Sequence, residues 1–166
     1  MCIRDKLIER PDIQPGFWSF FHPALATDLF ICSSIKDAIA WLEFDQVFYR
    51  SLNTLCFFAV GNLPEKFHAE IIRQYTPKKK LHFLFSKDDL GALCDLKLAS
   101  YIRNKPIQVS YHDHRYLIHF ENKHYQFDRL SLNALEKASG YNFKIRTHKP
   151  KNAPTYHEQT FNRHPA

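Results

Sequence analysis

The sequence predicts an α/β fold: a three-layer α/β/α core with a mainly parallel sheet and antiparallel hairpin additions toward the C-terminus. Mostly apolar segments at residues 29–32, 54–60 and 81–85 are each followed by a segment of helical periodicity. Continuous apolar runs are typical of parallel strands that are covered on both faces. Right-handed crossovers between such units would place helices on both faces of the sheet.

The first β-α unit has the clearest signals. Ser33 and Ser34 directly follow the first apolar run, and serine before a periodic segment favours the start of a helix. From residue 35 to residue 44, apolar residues recur at spacings of three and four, which predicts one buried helical face.

Two further units follow. Helices are predicted at residues 65–75 and from about residue 90 to residue 103, the second after a basic turn at residues 77–80 and an acidic break at Asp88 and Asp89. Three consecutive β-α units predict that the carboxyl ends of the strands form the functional edge.

Beyond Pro106 apolar and polar residues alternate. Segments 107–112, 116–120 and 124–127 are predicted to form a hairpin or meander at the edge of the sheet. A last helix is predicted over 130–139, ended by Gly140, with a short strand possible at 143–145.

The predicted organisation has three parts. Residues 1–28 form an N-terminal arm that packs on the core, and residues 29–148 form the α/β domain with its C-terminal hairpin and helix. Residues 149–166 form a basic tail that is polar and predicted to be flexible.

The charge is concentrated near the C-terminus. The chain has 23 Lys and Arg against 17 Asp and Glu, a net charge of +6. Residues 144–166 contain one acidic residue, Glu158, and five basic ones: Lys144, Arg146, Lys149, Lys151 and Arg163. Such a segment attracts nucleic acid or an acidic membrane surface, but a solvated terminus has the same composition.

The cysteines and the apolar segments exclude several classes. Cys2, Cys32, Cys56 and Cys94 lack the C-x-x-C spacing of zinc ribbons and redox motifs, so we expect reduced cysteines, with Cys32 and Cys56 in the core. The charged N-terminus is unlike a signal peptide, and the longest apolar run, residues 55–60, is too short to span a bilayer. We therefore expect a soluble, cytoplasmic protein.

Four short motifs resemble those of Toprim domains in bacterial primase-like and mobile-element proteins. Residues 29–39 align without a gap to a strand that ends in Glu-Ser-Pro-Ile-Asp-Ala-Leu, and residues 58–64 resemble the second strand and its glycine turn. Residues 83–91 resemble an Asp-Asn-Asp-x-x-Gly element, and residues 16–18 a Gly-hydrophobic-Trp element. The resemblance covers about residues 16–110.

The resemblance implies a fold and positions for metal chemistry. In the family, a Glu and two Asp hold Mg²⁺ for phosphoryl transfer on nucleic acid. Here Ser33 stands at the Glu position, Ser86 at the first Asp, and only the second Asp is retained, as Asp88. Because Mg²⁺ needs several hard oxygen ligands, we expect no catalysis and no cofactor. The alternative is an active Mg²⁺-dependent primase- or nuclease-like enzyme in which Asp88, Asp89 and Asp37 regroup around the ion.

The replacements favour a phosphate-binding edge. Serine hydroxyls and lysine ammonium groups beside helix N-termini suit phosphate oxygens. The candidate residues are Ser33, Ser34, Lys36, Ser86 and Lys87. Equally, a serine before a helix often serves only as a cap, and a first-turn lysine is often only solvated.

Two other clusters are candidate sites. His112 and His114 in one strand would point to one face, where His119 and His124 could join them to bind zinc, although chance clustering on an exposed edge explains them as well. The basic turn at residues 77–80 could touch phosphate or be only solvated. Four aromatic residues are assigned to core packing: Trp41, Phe57, Phe58 and Phe83.

The leading prediction is therefore a catalytically degenerate Toprim-like protein that binds nucleic acid or a DNA-processing partner in a replication or mobile-element setting. That setting comes from the resemblance alone. A structural interaction module without a ligand is the third alternative, and the sequence does not indicate an oligomeric state.

Overall fold

A computed structural model describes residues 18–20, 23–49 and 51–161. The main sheet has five strands: β1 (Trp18–Phe20), β2 (Asp28–Cys32), β3 (Leu55–Ala59), β4 (Lys80–Phe83) and β8 (Ile145–Thr147). Their order is β1-β3-β2-β4-β8, and all neighbours are parallel except β1, which pairs antiparallel with β3. The predicted parallel sheet is confirmed.

Helices cover both faces of this sheet, as the buried strands predict. Helix α1 (Ile35–Asp45) packs on one face, with Trp41 against Phe30 and Phe57. Helices α2 (Lys66–Tyr75) and α3 (Asp89–Arg103) pack on the opposite face. The two faces alternate along the strands, since Leu29 and Ile31 belong to the α2/α3 core whereas Phe30 and Cys32 belong to the α1 core.

The described residues that were predicted to pack in the core are buried. Trp41, Phe57, Phe58 and Phe83 are almost fully buried, as predicted for packing residues. Cys32, Cys56 and Cys94 are buried and reduced, whereas Cys2 lies outside the described residues. Burial raises the pKa of the Cys32 thiol, so it behaves as a small apolar side chain.

The C-terminal strands form a sheet of their own, so their predicted place at the edge of the main sheet is wrong. Strands β5 (Ile107–His112), β6 (Arg115–Phe120) and β7 (Lys123–Phe127) make a three-stranded antiparallel meander. Ile118 and Phe120 of β6 enter the α2/α3 core. The meander therefore packs beside the core through its apolar face instead of through strand pairing.

The last elements differ from the prediction in their extent. Helix α4 (Leu132–Ser139) begins after the Ser131 cap and ends at Gly140, whose φ of 74° is the left-handed conformation that favours glycine. The predicted strand at 143–145 lies two residues further on, as β8, and pairs with β4.

The tail is not a flexible appendage up to residue 161. Helix α5 (Tyr156–Phe161) packs on α1, and Ala153 and Tyr156 are buried, with Tyr156 only 4% exposed. Residues 162–166 lie outside the described residues, as does most of the predicted N-terminal arm. We refer to residues 149–161 as the C-terminal segment.

Candidate functional site

The predicted functional edge lies where the order of strands along the chain reverses direction across the sheet. From β2 the chain crosses to β3 on one side and then to β4 on the other, so the switch point falls between β2 and β4. Ligands of open α/β sheets bind at this point, beyond the carboxyl ends of the strands. We call the residues there, 33–37 and 84–89, the carboxyl edge. Backbone bonds join it to its neighbours, with the Gly61 N–H donating to the Ser33 carbonyl at 3.0 Å.

Ser34 and Asp37 are bonded to each other, and Asp37 is also bonded to the C-terminal segment. The Ser34 hydroxyl accepts from the Asp37 N–H at 3.2 Å, which confirms the predicted helix cap, and donates to the Asp37 carboxylate at 2.7 Å. The other carboxylate oxygen of Asp37 accepts from the backbone N–H of His157 at 3.2 Å. Lys36 is exposed beside them.

Ser86 and Asp88 form a second internal cap. Asp88 is the N-cap of α3, and one of its oxygens accepts from the Ser86 hydroxyl at 2.5 Å and from the Gly91 N–H at 2.8 Å. The hydrogen bond from Ser86 is the main cause of the lowered pKa of the Asp88 carboxyl, and the bond from Gly91 adds to it. Gly91 permits the close packing, because a Cβ there would lie 2.1 Å from the Ser86 carbonyl oxygen.

Lys149 of the C-terminal segment is inserted behind this cap. Its ammonium group lies 2.7 Å from the Asp95 carboxylate and donates to the carbonyl oxygens of Ser86 at 2.9 Å and Phe85 at 3.3 Å. Asp95 is only 1% exposed, and burial raises its pKa to about 6 although Lys149 opposes the shift. The positive charge of Lys149 is therefore committed to an internal ion pair.

Lys87 is also bonded to the C-terminal segment. Its backbone N–H donates to the Pro154 carbonyl at 2.8 Å, and its ammonium group donates to the Lys151 carbonyl at 3.3 Å. Together with the contacts of Asp37 and Lys149, these bonds place the C-terminal segment against the carboxyl edge. Of the residues predicted to bind phosphate, Ser34, Ser86 and Lys87 thus have side-chain partners within the protein, as does the predicted metal ligand Asp88.

The three carboxylates predicted to regroup around Mg²⁺ each have a different partner within the protein. Asp37 and Asp88 have the different partners given above, and Asp89 accepts from the Tyr116 hydroxyl at 2.6 Å. Within the described part of the chain, no hydrogen bond joins Ser33 to Ser86 or Asp88. No three His, Cys, Asp or Glu side chains among residues 18–20, 23–49 and 51–161 are grouped to hold a metal ion. Regrouping of the three aspartates would require rearrangement of these caps.

The histidine hypothesis fails at its first pair. Asp113 and His114 have φ values of 49° and 62°, so they form the turn between β5 and β6 and not a strand that continues from His112. This left-handed pair is the backbone of a tight two-residue hairpin. His119 and His124 are cross-strand neighbours whose rings stack at 4.7 Å.

A concentration of unpaired positive charge lies elsewhere, between β4 and β8. A groove of about 400 Å³ is lined by eight residues: Lys79, Lys80, Leu81, Glu136, Asn142, Lys144, Ile145 and Arg146. Lys80, Lys144 and Arg146 are exposed, and none of the three forms an ion pair within the described residues. The one acidic lining residue, Glu136, accepts from the Phe143 N–H at 2.7 Å. We call this surface the basic groove.

The wall of the basic groove is held by specific bonds. Arg103 donates to the carbonyl oxygens of Phe143 at 2.6 Å and Lys144 at 3.3 Å. Lys144 has a φ of 54°, a conformation that is uncommon for lysine, and the Asn142 side chain accepts from its N–H at 2.6 Å. Backbone held in a rare conformation is concentrated at functional sites.

Two lysines of the basic turn at residues 77–80 lie beside the basic groove and have different roles. Lys79 points inward and donates to backbone carbonyl oxygens of Pro23, Ala24 and Ala26. Its neighbour Lys80 faces the groove. Of the three lysines in this turn, Lys79 is therefore structural, whereas Lys78 and Lys80 are exposed.

The chain matches no protein-family model, no curated protein and no solved structure. None of the helices in the described ranges combines the length and apolar character needed for a membrane span.

Two sets of polar residues were not identified as sites from the sequence. Lys144 and Arg146 were noted only as part of the charge excess at residues 144–166, and only the pairing of β8 with β4 brings them beside Lys80. His82 and Asp28 form a buried hydrogen bond at 2.9 Å. The available signal was a histidine within a strand covered on both faces, because such a buried polar side chain requires a partner.

Proposed function

We propose that this protein binds nucleic acid through the basic groove, on a catalytically degenerate Toprim-like scaffold. The observation that carries the proposal is the set of three exposed, unpaired cationic side chains, Lys80, Lys144 and Arg146, around one groove. Phosphate contacts from lysine and arginine supply most of the sequence-independent affinity for nucleic acid.

The proposal moves the binding surface away from the carboxyl edge. At that edge Lys87 donates to a backbone carbonyl, and the Ser34 and Ser86 hydroxyls donate to carboxylates. Phosphate bound there would have to displace these bonds and would meet the charges of Asp37 and Asp88. Of the residues predicted to bind phosphate, Ser33 and Lys36 lack such side-chain partners within the described ranges.

The biological setting is inferred from the sequence resemblance. A cytoplasmic role in bacterial replication or in a mobile element, in contact with a DNA-processing protein, fits a non-catalytic nucleic-acid-binding module. The alternative of a Mg²⁺-dependent enzyme is disfavoured by the separate partners of Asp37, Asp88 and Asp89. Addition of Mn²⁺ tests it, since selective paramagnetic broadening of NMR signals around Asp88 would support an ion site there.

The direct test measures fluorescence anisotropy of labelled single- and double-stranded oligonucleotides over a series of salt concentrations. We expect affinity that falls with salt and weakens by about tenfold or more in the triple variant K80A/K144A/R146A. The control K66A/K97A/K123A removes the same charge from other surfaces and should lose much less. Absence of binding at low salt would overturn the proposal.

A further inference from the structure

A chain of two hydrogen bonds, one buried and one partly buried, lies on the α1 face of the sheet. Asp28 accepts from the Nε2 atom of His82 at 2.9 Å, and the Nδ1 atom of His82 lies 2.8 Å from the Nε2 atom of His148. His82 is 1% exposed and its ring stacks on Phe30 at 4.4 Å. We call these three side chains the relay.

The relay determines which nitrogen of His148 is left as an acceptor. Burial lowers the pKa of His82 to about 4, despite the opposing bond to Asp28, so the ring is neutral at pH 7 and has one N–H. A carboxylate only accepts, so that N–H lies on Nε2, and the Nδ1 atom of His82 accepts from His148. Burial also lowers the pKa of His148, which leaves the Nδ1 atom of a neutral His148 as a free acceptor.

His148 lines a cavity of about 500 Å³ between α1 and the C-terminal segment. Its Nδ1 atom has no hydrogen-bond partner among the described residues. Phe44 and Phe48 provide aromatic rings, and Phe48 is 78% exposed at the rim. Asp45 provides a second acceptor. The Lys151 ammonium group forms no hydrogen bond or ion pair among the described residues, although its charge acts on the Asp45 carboxyl.

We propose that this cavity binds a nucleoside monophosphate whose base donates an N–H to the Nδ1 atom of His148. The aromatic rings suit a planar base, the Asp45 carboxylate suits ribose hydroxyls, and the Lys151 ammonium suits the phosphate. A purely apolar ligand would leave His148 and Asp45 without partners, at a cost to affinity. The volume is within the range of small-molecule sites.

This inference does not depend on nucleic-acid binding at the basic groove, because the two surfaces share no lining residue. The two proposals can therefore fail separately.

The test is an NMR titration of the full chain with AMP, GMP, CMP and UMP, each at millimolar concentration. We expect at least one of them to shift the signals of His148 and of residues around the cavity. F48A and K151A change exposed side chains and should each weaken this binding by about tenfold. The control Y111A removes an exposed aromatic ring on β5 and should bind like the wild type.

The ¹⁵N shifts of His148 provide a second readout that a packing role would not produce. We expect a protonated Nε2 and an unprotonated Nδ1 in the free protein, with the Nδ1 shift changing on nucleotide addition. The proposal is overturned if no monophosphate binds, if F48A and K151A bind normally, or if inorganic phosphate competes as well as the nucleotide. Loss of nucleotide binding in K80A/K144A/R146A would assign it to the basic groove and would also contradict the proposal.

Discussion

The carboxyl edge and the basic groove both contain cationic side chains, but the two surfaces use them differently. At the edge, the ammonium groups of Lys87 and Lys149 donate to backbone carbonyls, and Lys149 also pairs with buried Asp95. In the groove, Lys144 and Arg146 face solvent without an ion pair in the described structure. The comparison teaches that a charge bonded inside the protein stabilises the fold, whereas an unpaired, clustered charge is available to a ligand.

The largest effect is expected from Lys149→Ala at the carboxyl edge. Removing one partner of a buried ion pair leaves the Asp95 carboxylate uncompensated, so the free energy of unfolding should fall by about 3 kcal/mol at pH 8. The folded-state pKa of Asp95 is already raised above its unfolded value and should rise further without Lys149. A carboxyl group whose pKa is raised on folding lowers the free energy of unfolding as pH rises through its pKa values. The loss caused by Lys149→Ala should therefore be smaller at pH 5 than at pH 8. Urea unfolding at the two pH values measures this.

Lys87→Ala is the matched control for that experiment. The Lys87 side chain is exposed and donates only to one carbonyl, so the loss should stay within about 0.5 kcal/mol. Equal losses in the two lysine variants would contradict the distinction between the buried pair and the edge surface.

A pH-dependent effect is expected from His82, the buried centre of the relay. Its pKa is about 4 in the folded protein and 6.5 unfolded, so the unfolded chain binds more protons between these values. Stability should therefore rise between about pH 4 and pH 6.5, by up to about 3 kcal/mol from this group. Asp95 acts in the opposite direction, since its folded-state pKa is raised, so the test is the difference between wild type and variant.

His82→Gln should remove this rise, because glutamine does not titrate. Thermal unfolding between pH 4 and pH 7 would show a flatter profile for the variant than for the wild type. His124→Gln, at an exposed position on β7, should retain the wild-type profile. A profile for His82→Gln that parallels the wild type would show that His82 is not the titrating group.

The smallest effect is expected from Asp88→Ala, which tests whether the retained family acid is structural. Loss of an N-cap should lower the free energy of unfolding by about 1 kcal/mol. The pKa of Asp88 is lowered in the folded protein. Its contribution to the free energy of unfolding is therefore present at pH values above the unfolded pKa of the carboxyl group and is lost as pH falls through the folded pKa. Chemical denaturation at pH 7 and pH 3 measures the difference, which should shrink at pH 3. Nucleic-acid affinity should not change.

The parallel core was predictable because its signals are local. Strands buried on both faces are mostly apolar, so the segments that include Leu29–Ile31 and Leu81–Phe83 stand out in the sequence, although His82 interrupts the second. The meander was visible too, but alternation does not show which neighbour a strand pairs with, so its separate sheet was missed. The turn at Asp113 and His114 lacks the glycine that usually marks a tight hairpin.

The candidate sites were less predictable because they depend on distant residues. His82 and His148 are 66 positions apart, and Lys80 reaches Arg146 only through the pairing of β4 with β8. The tail is predicted to be flexible because its composition is mostly polar. Two of its residues, Ala153 and Tyr156, are nevertheless buried, and its helix α5 packs on α1. The overall composition of a segment does not reveal a few buried residues, whereas the packing of the segment depends on each of them.

The most direct test of the central comparison is the oligonucleotide affinity of two matched double variants. K144A/R146A removes two charges from the basic groove, and K36A/K87A removes two from the carboxyl edge. We expect the groove variant to bind about tenfold more weakly, with a salt dependence reduced by about two ions, and the edge variant to bind like the wild type. A loss confined to the edge variant would contradict the account and return the binding surface to the carboxyl edge.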